Sequence, residues 1–449
     1  MNTHRTDVAI LGAGAAGMFV ALAAQARGLH VTLLDPLLDS PSNFALSGGL
    51  LPAAGSRLQR EAGVTDTPEG WLEDLRTYAP GMVNERIAAS VAQALPHAVD
   101  FLLDQAGAPL RFLPDVVAPG HRTLRFHSVA PASGAAFHAS MRAAVASHPR
   151  IRLISQAASL MRDASAYVLD IAPAEGAPAQ RVNTAQVVLA GGGFGANAQM
   201  VARHIPAMAG ALNNGSRTND GSTIAIGLAL GAQLWGMDGY QGQAHTNPGG
   251  ATRLGMAVPS LGGIMVNRRG QRFVREDLGP SALAPHVLGQ SEGLALEVFD
   301  AFIESRLGDH SAYQQALAAG RVMSADSVEK LARLAGVDPQ ALAATVDDVN
   351  RFAAGDQADP LGRTAFQRRL QAPFKASWVT GALSHTQGGL MTDAHGAVLD
   401  AGDAPMAGLH AAGGCAAGLA GRGAQGYLPG NGLAQAFGLG WRVAQALAA

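Results

Sequence analysis

Asp7-Val8-Ala9-Ile10-Leu11-Gly12-Ala13-Gly14-Ala15-Ala16-Gly17 is an apolar run that delivers three glycines at GxGxxG spacing, and Val31-Thr32-Leu33-Leu34-Asp35 follows one helix-length later. Strand, helix and terminal acid in register predict a βαβ unit that binds a dinucleotide. Gly12 permits the tight strand-to-helix turn, Gly14 lets backbone approach a pyrophosphate, and Gly17 lets the helix pack closely on its strand. The amides at the helix start, from Ala15 and Ala16 onward, then meet negative charge. Asp35, followed by Pro36, stands where a carboxylate accepts from a ribose hydroxyl.

Composition bounds the remainder. A chain of 449 residues ordinarily holds two or three domains, and a net charge of −2 gives no reason to expect nucleic acid or an anionic membrane. No apolar stretch reaches the ~18 residues of a membrane span, and the first residues run into the first strand without a signal-peptide core. A cytoplasmic, soluble protein is expected. The single cysteine, Cys415, excludes an internal disulfide framework and cysteine-ligated zinc or iron–sulfur centres, and no CxxCH haem site is present. No metal is expected.

The segment after Asp35 separates nicotinamide from flavin. Ser42-Asn43-Phe44-Ala45-Leu46-Ser47-Gly48-Gly49-Leu50 is small and glycine-rich, as backbone lying against a flat ring requires. From here the chain resembles the flavoprotein-subunit family of fumarate reductase and succinate dehydrogenase, whose relatives include the 3-ketosteroid dehydrogenases and L-aspartate oxidase. In that family Ser47, Gly48, Gly49 and Leu50 would lie beside FAD. The resemblance runs on in family order along almost the whole chain. Val187-Val188-Leu189-Ala190-Gly191-Gly192-Gly193-Phe194-Gly195 is similar to the strand that returns to the cofactor, and Asn219-Asp220-Gly221 to a helix start whose Asp220 contacts FAD. Leu409-His410-Ala411-Ala412-Gly413-Gly414 and Pro429-Gly430-Asn431-Gly432-Leu433 complete the set. By the same resemblance Ala157 joins the cofactor contacts. Gly262 through Val274 resembles a family hairpin, and alternation around Arg268-Arg269-Gly270 predicts two strands there.

The last motif carries a physical rationale of its own. Gly430-Asn431-Gly432 precedes an apolar helical stretch whose amide end would face the flavin pyrimidine and stabilise the anionic reduced ring. Cofactor motifs at both ends imply an α/β chain: a discontinuous Rossmann-like FAD-binding domain, 1–234 and 376–449, with an inserted α+β cap domain at 235–375. Within the cap, Asp326 through Gly336 and Asp338 through Phe352 read as two capped helices, followed by a loop at 355–363.

In fumarate reductases two histidines and an arginine hold the substrate carboxylates, and another arginine delivers the proton. Gln243-Ala244-His245-Thr246 resembles the first histidine motif and Ser384-His385-Thr386-Gln387-Gly388-Gly389 the second. The proton-donating arginine is missing: Arg275-Glu276 continues into Asp277-Leu278-Gly279-Pro280-Ser281. Its acidic relay partners are missing too, and Tyr427 stands where a carboxylate-binding arginine is expected. One phenol cannot reproduce a bidentate guanidinium grip. Gly426-Tyr427-Leu428-Pro429-Gly430 is instead similar to the neighbourhood in 3-ketosteroid dehydrogenases where a phenol and a backbone amide polarise a ketone. Arg253, Arg275 and Arg422 are the remaining cations near these motifs. Ser42 replaces the flavin-linking histidine of respiratory members, so FAD is expected to be non-covalent; Gly414 replaces a ribityl-binding glutamate.

The implied protein moves a hydride between FAD N5 and a CH–CH or C=C group beside a carbonyl or carboxylate. Its substrate is a small molecule and its electron donor or acceptor a separate partner. His385 and His245 would bind and polarise substrate, with Tyr427 in carbonyl contact or proton transfer. Two alternatives stand beside this: an FAD-dependent amine or amino-acid oxidase, and a flavin-binding protein that has lost catalysis.

Overall fold

A computed structural model describes residues 2–163, 166–173, 178–250, 252–308 and 311–448. Contacts divide the chain into two units: Met1–Ile205, Gly215–Tyr240 and His385–Ala449 form the first, Pro206–Asn214 and Gln241–Ser384 the second.

In the first unit the Val8–Leu11 strand is buried at every position, as a central strand covered on both faces must be. It pairs in parallel with Val31–Leu34 on one side and Val187–Leu189 on the other. The six-stranded sheet extends through Ile151–Ile154 at one edge, and through Pro405–Ala411 to antiparallel Ala397–Leu399 at the other. The chain winds outward first to one side of Val8–Leu11 and later to the other, so the strand order reverses at its carboxyl end. Such a switch point opens a crevice for ligand. Gly12 and Ala190 meet there: Gly12 has φ +110°, and a Cβ on it would lie 2.4 Å from the Ala190 carbonyl oxygen.

The Ala15–Ala26 helix starts at N-cap Gly14 and is buried over its first ten residues, because sheet and helices cover it. Phe19 meets Phe101 and Phe437 edge-on at 5.4 and 5.3 Å, which ties it to the Glu85–Asp104 and Asn431–Ala446 helices. The predicted C-terminal helix is present with Gly430 as its N-cap.

The second unit is built on a mixed sheet in the order Leu212–Asn213, Phe374–Thr386, Leu294–Asp300, Ile264–Val266. The two capped helices read from sequence are Val328–Ala335, capped by Ser327, and Pro339–Ala354, capped by Asp338. The expected limits at 234/235 and 375/376 stand beside a contact division at 240/241 and 384/385, and at the second of these Phe374–Thr386 is one continuous 13-residue strand that stays in the second unit's sheet as far as Ser384. The segment Pro206–Asn214 also joins that unit by adding an edge strand. One expectation is corrected: the hairpin around Arg268-Arg269-Gly270 is a turn with a single bridge, Val266 to Arg272, because Ile264–Val266 pairs with Leu294–Asp300 instead.

Candidate active site

The glycines at the switch point divide by what holds them. A Cβ on Gly17 would sit 1.8 Å from the Gly12 carbonyl oxygen, so helix and turn touch only because that position is bare. Gly191 is crowded by Thr223, Gly192 by Asn219, Gly413 by Ala16 and Gly414 by the Gly193 amide. Gly14 is different. Its φ is −77°, ordinary for any residue, and a Cβ on it would meet nothing within 4 Å. No protein atom requires a glycine there.

The other expected cofactor contacts are placed as follows. Asp35 accepts from the Ala13 amide at 2.9 Å through one carboxylate oxygen and from the Leu37 amide at 2.9 Å through the other. Ser47 donates to the Phe44 carbonyl and accepts from the Gly49 amide. Gly48 has only Leu50 near it, at ordinary contact distance. Ser42 caps the short Asn43–Leu46 helix by accepting from the Ala45 amide. Asp220 is exposed and accepts from the Ser222 amide, bending the chain into the Ser222–Ala229 helix. Ala157 and Pro36 are exposed.

Within the same unit, His385 and Tyr427 come together from distant segments. Their ring centroids are 5.8 Å apart and tilted by 48°. Gly432, in the first turn of the C-terminal helix, lies beneath both: a Cβ there would be 3.5 Å from His385 Nε2 and 3.7 Å from Tyr427 Oη. That helix has no side-chain cap, and its first amide, of Asn431, donates to the Leu428 carbonyl at 3.0 Å. Burial lowers the His385 imidazole to about 4, which makes it neutral at physiological pH, and its Nδ1 has no partner. Burial raises the Tyr427 phenol, an effect that the Gly432 amide opposes by donating to its oxygen. The side chain of Asn431, only 3% exposed, has neither amide atom partnered. Two buried hydrogen-bonding groups without partners are costly.

The second unit places His245 otherwise than expected. It is fully buried, with Nδ1 3.1 Å from Glu297 Oε1 and Nε2 3.1 Å from Met256 Sδ. Both ring nitrogens have protein neighbours, so the ring is not open to a ligand in this arrangement. Ser281, near the missing arginine, accepts from the Gly242 amide and donates to its carbonyl. Arg275 is held bidentately by Asp277, while Arg253 and Arg422 are exposed.

Sequence reasoning missed Glu297 and Gln387. A single acid amid Leu294-Ala295-Leu296 and Val298-Phe299 was a readable signal. Gln387, 4% exposed with Nε2 unpartnered, follows the His385 motif directly. Among the described residues no cluster of histidine, cysteine or acidic side chains could hold a metal, and no helix is long and apolar enough to cross a membrane.

Residues 7–433 match the family described as FAD binding domain. A probable fumarate reductase of Shewanella frigidimarina is 28% identical over 92% of this chain and 70% of its own length. A 3-oxosteroid 1-dehydrogenase of Mycobacterium tuberculosis is 25% identical over 99% of this chain and 98% of its own. The open conformation of a flavocytochrome c3 fumarate reductase superposes with a TM-score of 0.85 at 26% identity, covering 98% of this chain and 78% of that one. The chain belongs to the FAD-binding domain family of FAD-dependent CH–CH oxidoreductases that includes the fumarate reductase flavoproteins and the ketosteroid dehydrogenases.

Proposed function

We propose that the protein binds FAD non-covalently and oxidises or reduces a carbon–carbon bond next to a ketone-like carbonyl, rather than acting as an ordinary fumarate reductase. The observation that carries this is the pairing of a neutral His385 with Tyr427 above the Gly432 amide. A site built for two carboxylates needs fixed cations. This one offers a phenol O–H and a neutral imidazole, which suit a neutral carbonyl oxygen.

The residues present fit FAD. The empty space over Gly14 is where a pyrophosphate would approach backbone, and the unpartnered side-chain amide of Asn431 fits the polar edge of a flavin. Gly12, Gly14, Ala15, Ala16 and Gly17 would hold the phosphates, and Asp35 with Pro36 the ribose. Ser47, Gly48, Gly49, Leu50, Ala157, Ala190, Gly191, Gly192, Asp220, Gly413, Gly414, Asn431, Gly432 and Leu433 would line the remainder. Ser42 offers no nitrogen for a covalent link. Bound FAD supplies hydride transfer at N5.

The chain's own residues bind and polarise. The Tyr427 hydroxyl, whose oxygen accepts from the Gly432 amide, donates to the substrate carbonyl, which acidifies the adjacent C–H in dehydrogenation and withdraws electrons from the alkene in reduction. His385 packs against the phenol, and its orphaned Nδ1 orients a second polar group of the substrate. A separate donor or acceptor exchanges electrons with the cofactor.

The test is anaerobic reoxidation of photoreduced enzyme by cyclohex-2-enone, 4-androstene-3,17-dione, urocanate and fumarate. Reoxidation by an enone faster than by fumarate supports the reading. Preference for fumarate, or hydrogen peroxide release with amines alone, overturns it.

A further inference from the structure

Gln387 belongs to the first unit and lies two residues beyond His385. The side chains alternate there: His385 meets Tyr427, Thr386 turns the other way to accept from the Phe194 amide at 3.2 Å, and Gln387 rests on Gly421. The Gln387 amide therefore stands on the His385 side, roughly 7 Å along the chain from that residue. Three glycines make room for it. A Cβ would lie 2.7 Å from Gln387 Nε2 on Gly421, 2.7 Å from the Gln387 carbonyl oxygen on Gly418 and 3.3 Å from the Gln387 Cβ on Gly239. None of this backbone bonds the side-chain amide. Gln387 is 4% exposed, its Nε2 is buried without a partner, and among the described residues no hydrogen bond reaches its Oε1. Whichever end of the amide is nitrogen, a buried polar atom is left unpaired. A methionine of similar length would fill this place without that cost, so packing does not account for the amide.

Gly421 opens the loop that leads to Tyr427. A Cβ on Gly426 would lie 2.7 Å from the Gly421 Cα, so the two ends of that loop touch, and Arg422 and Gln425 bridge between them. Arg422 is exposed, and no acid among the described residues pairs with it, Asp238 of the neighbouring turn included. One loop thus joins an unpaired cation, the backbone under an unpaired amide, and the phenol. We propose that Gln387 and Arg422 hold a carboxylate at the end of the substrate remote from its ketone, so that the substrate is a keto acid. This assignment rests on the carbon–carbon reading above and names the second polar group of that substrate. An amide N–H and a guanidinium both donate to a carboxylate. The spacing of His385 and Gln387 suits a six-membered ring with ketone and carboxylate at opposite ends. A dicarboxylate needs a second fixed cation where Tyr427 stands, and a keto acid does not.

Titration of the oxidised, FAD-loaded enzyme with 4-hydroxybenzoate and with phenol, followed by flavin absorbance, tests the proposal. The wild type should bind the acid about 10-fold or more tightly than phenol. Gln387→Met and Arg422→Gln should each erase most of that preference. Photoreduced wild-type enzyme should likewise be reoxidised by 4-oxocyclohex-2-ene-1-carboxylate at a lower half-saturating concentration than by its methyl ester, and the two values should converge in both variants. Arg422→Gln changes an exposed side chain and decides the matter if Gln387→Met yields no folded protein. Equal affinity of the wild type for the acid and phenol, or a preference left intact by either variant, overturns the proposal. An enzyme that reduces cyclohex-2-enone without favouring the acid overturns this assignment alone. One that no enone reoxidises, the acid included, overturns the carbon–carbon reading and the assignment with it.

Discussion

The His385 and Tyr427 rings lie 5.8 Å apart although 41 positions of chain separate them, and a Cβ added to Gly432 would lie within 3.7 Å of both. Tyr427→Phe and His385→Ala should therefore leave flavin absorbance and folding intact while slowing turnover of an enone. Loss of the phenol should cost on the order of 1–3 kcal/mol if it bonds a buried carbonyl. Stopped-flow rates equal to wild type in both variants would remove the pair from the chemistry.

Gly14→Val should fold and fail to retain FAD, since a side chain there meets no protein atom and would enter the space proposed for the pyrophosphate. Gly17→Val should fail to fold, because its Cβ would lie 1.8 Å from the Gly12 carbonyl. Circular dichroism and flavin absorbance separate the two outcomes; a yellow Gly14→Val protein at full occupancy contradicts the phosphate site.

Acid or heat denaturation should release all FAD into the supernatant, because Ser42 caps a helix where a linking histidine would stand. Flavin that stays with the precipitated polypeptide would show a covalent bond elsewhere.

Fumarate reduction with artificial donors should fall far below the roughly 10 per second typical of enzymes on their own substrates. Ser281 is committed to the Gly242 backbone, and Arg275 to Asp277, so neither replaces the absent arginine. Turnover near that rate would locate a proton donor that these contacts do not contain.

Stability should fall as pH drops from about 6.5 toward 4. Burial lowers His127 and His410 to about 4, so the fold keeps them neutral where an unfolded chain would charge them. That stabilisation is complete above the unfolded value of about 6.5 and is lost through the folded one, each ring contributing on the order of 3 kcal/mol. His127 is fully buried, with Nε2 2.8 Å from Ser56 Oγ. Urea midpoints measured at pH 7 and 4.5 check this, and unchanged midpoints would refute it.

The sheet, the glycine turn and both capped helices were legible because local pattern alone specifies them: buried strands are apolar throughout and N-caps are polar. The meeting of His385 with Tyr427 was legible only by resemblance, since spacing in sequence holds no information about it. The hairpin at Arg268 was misread because alternation does not say which strand a partner will be, and Leu294–Asp300 took Ile264–Val266. Gly14 and Gly17 read alike in the sequence, and only the structure separates the uncrowded first from the crowded second.

The continuous Phe374–Thr386 strand has a consequence for how such proteins can be recombined. Successive residues in a strand point to opposite faces, so adding or deleting one residue anywhere within it exchanges the two faces beyond that point. His385, next to last, would turn away from Tyr427. Chimaeras that graft another relative's inserted unit must therefore keep the parity of this strand, and the loop at 355–363 must keep its length too, because Asp359 pairs with Arg272 and Arg363 with buried Glu276.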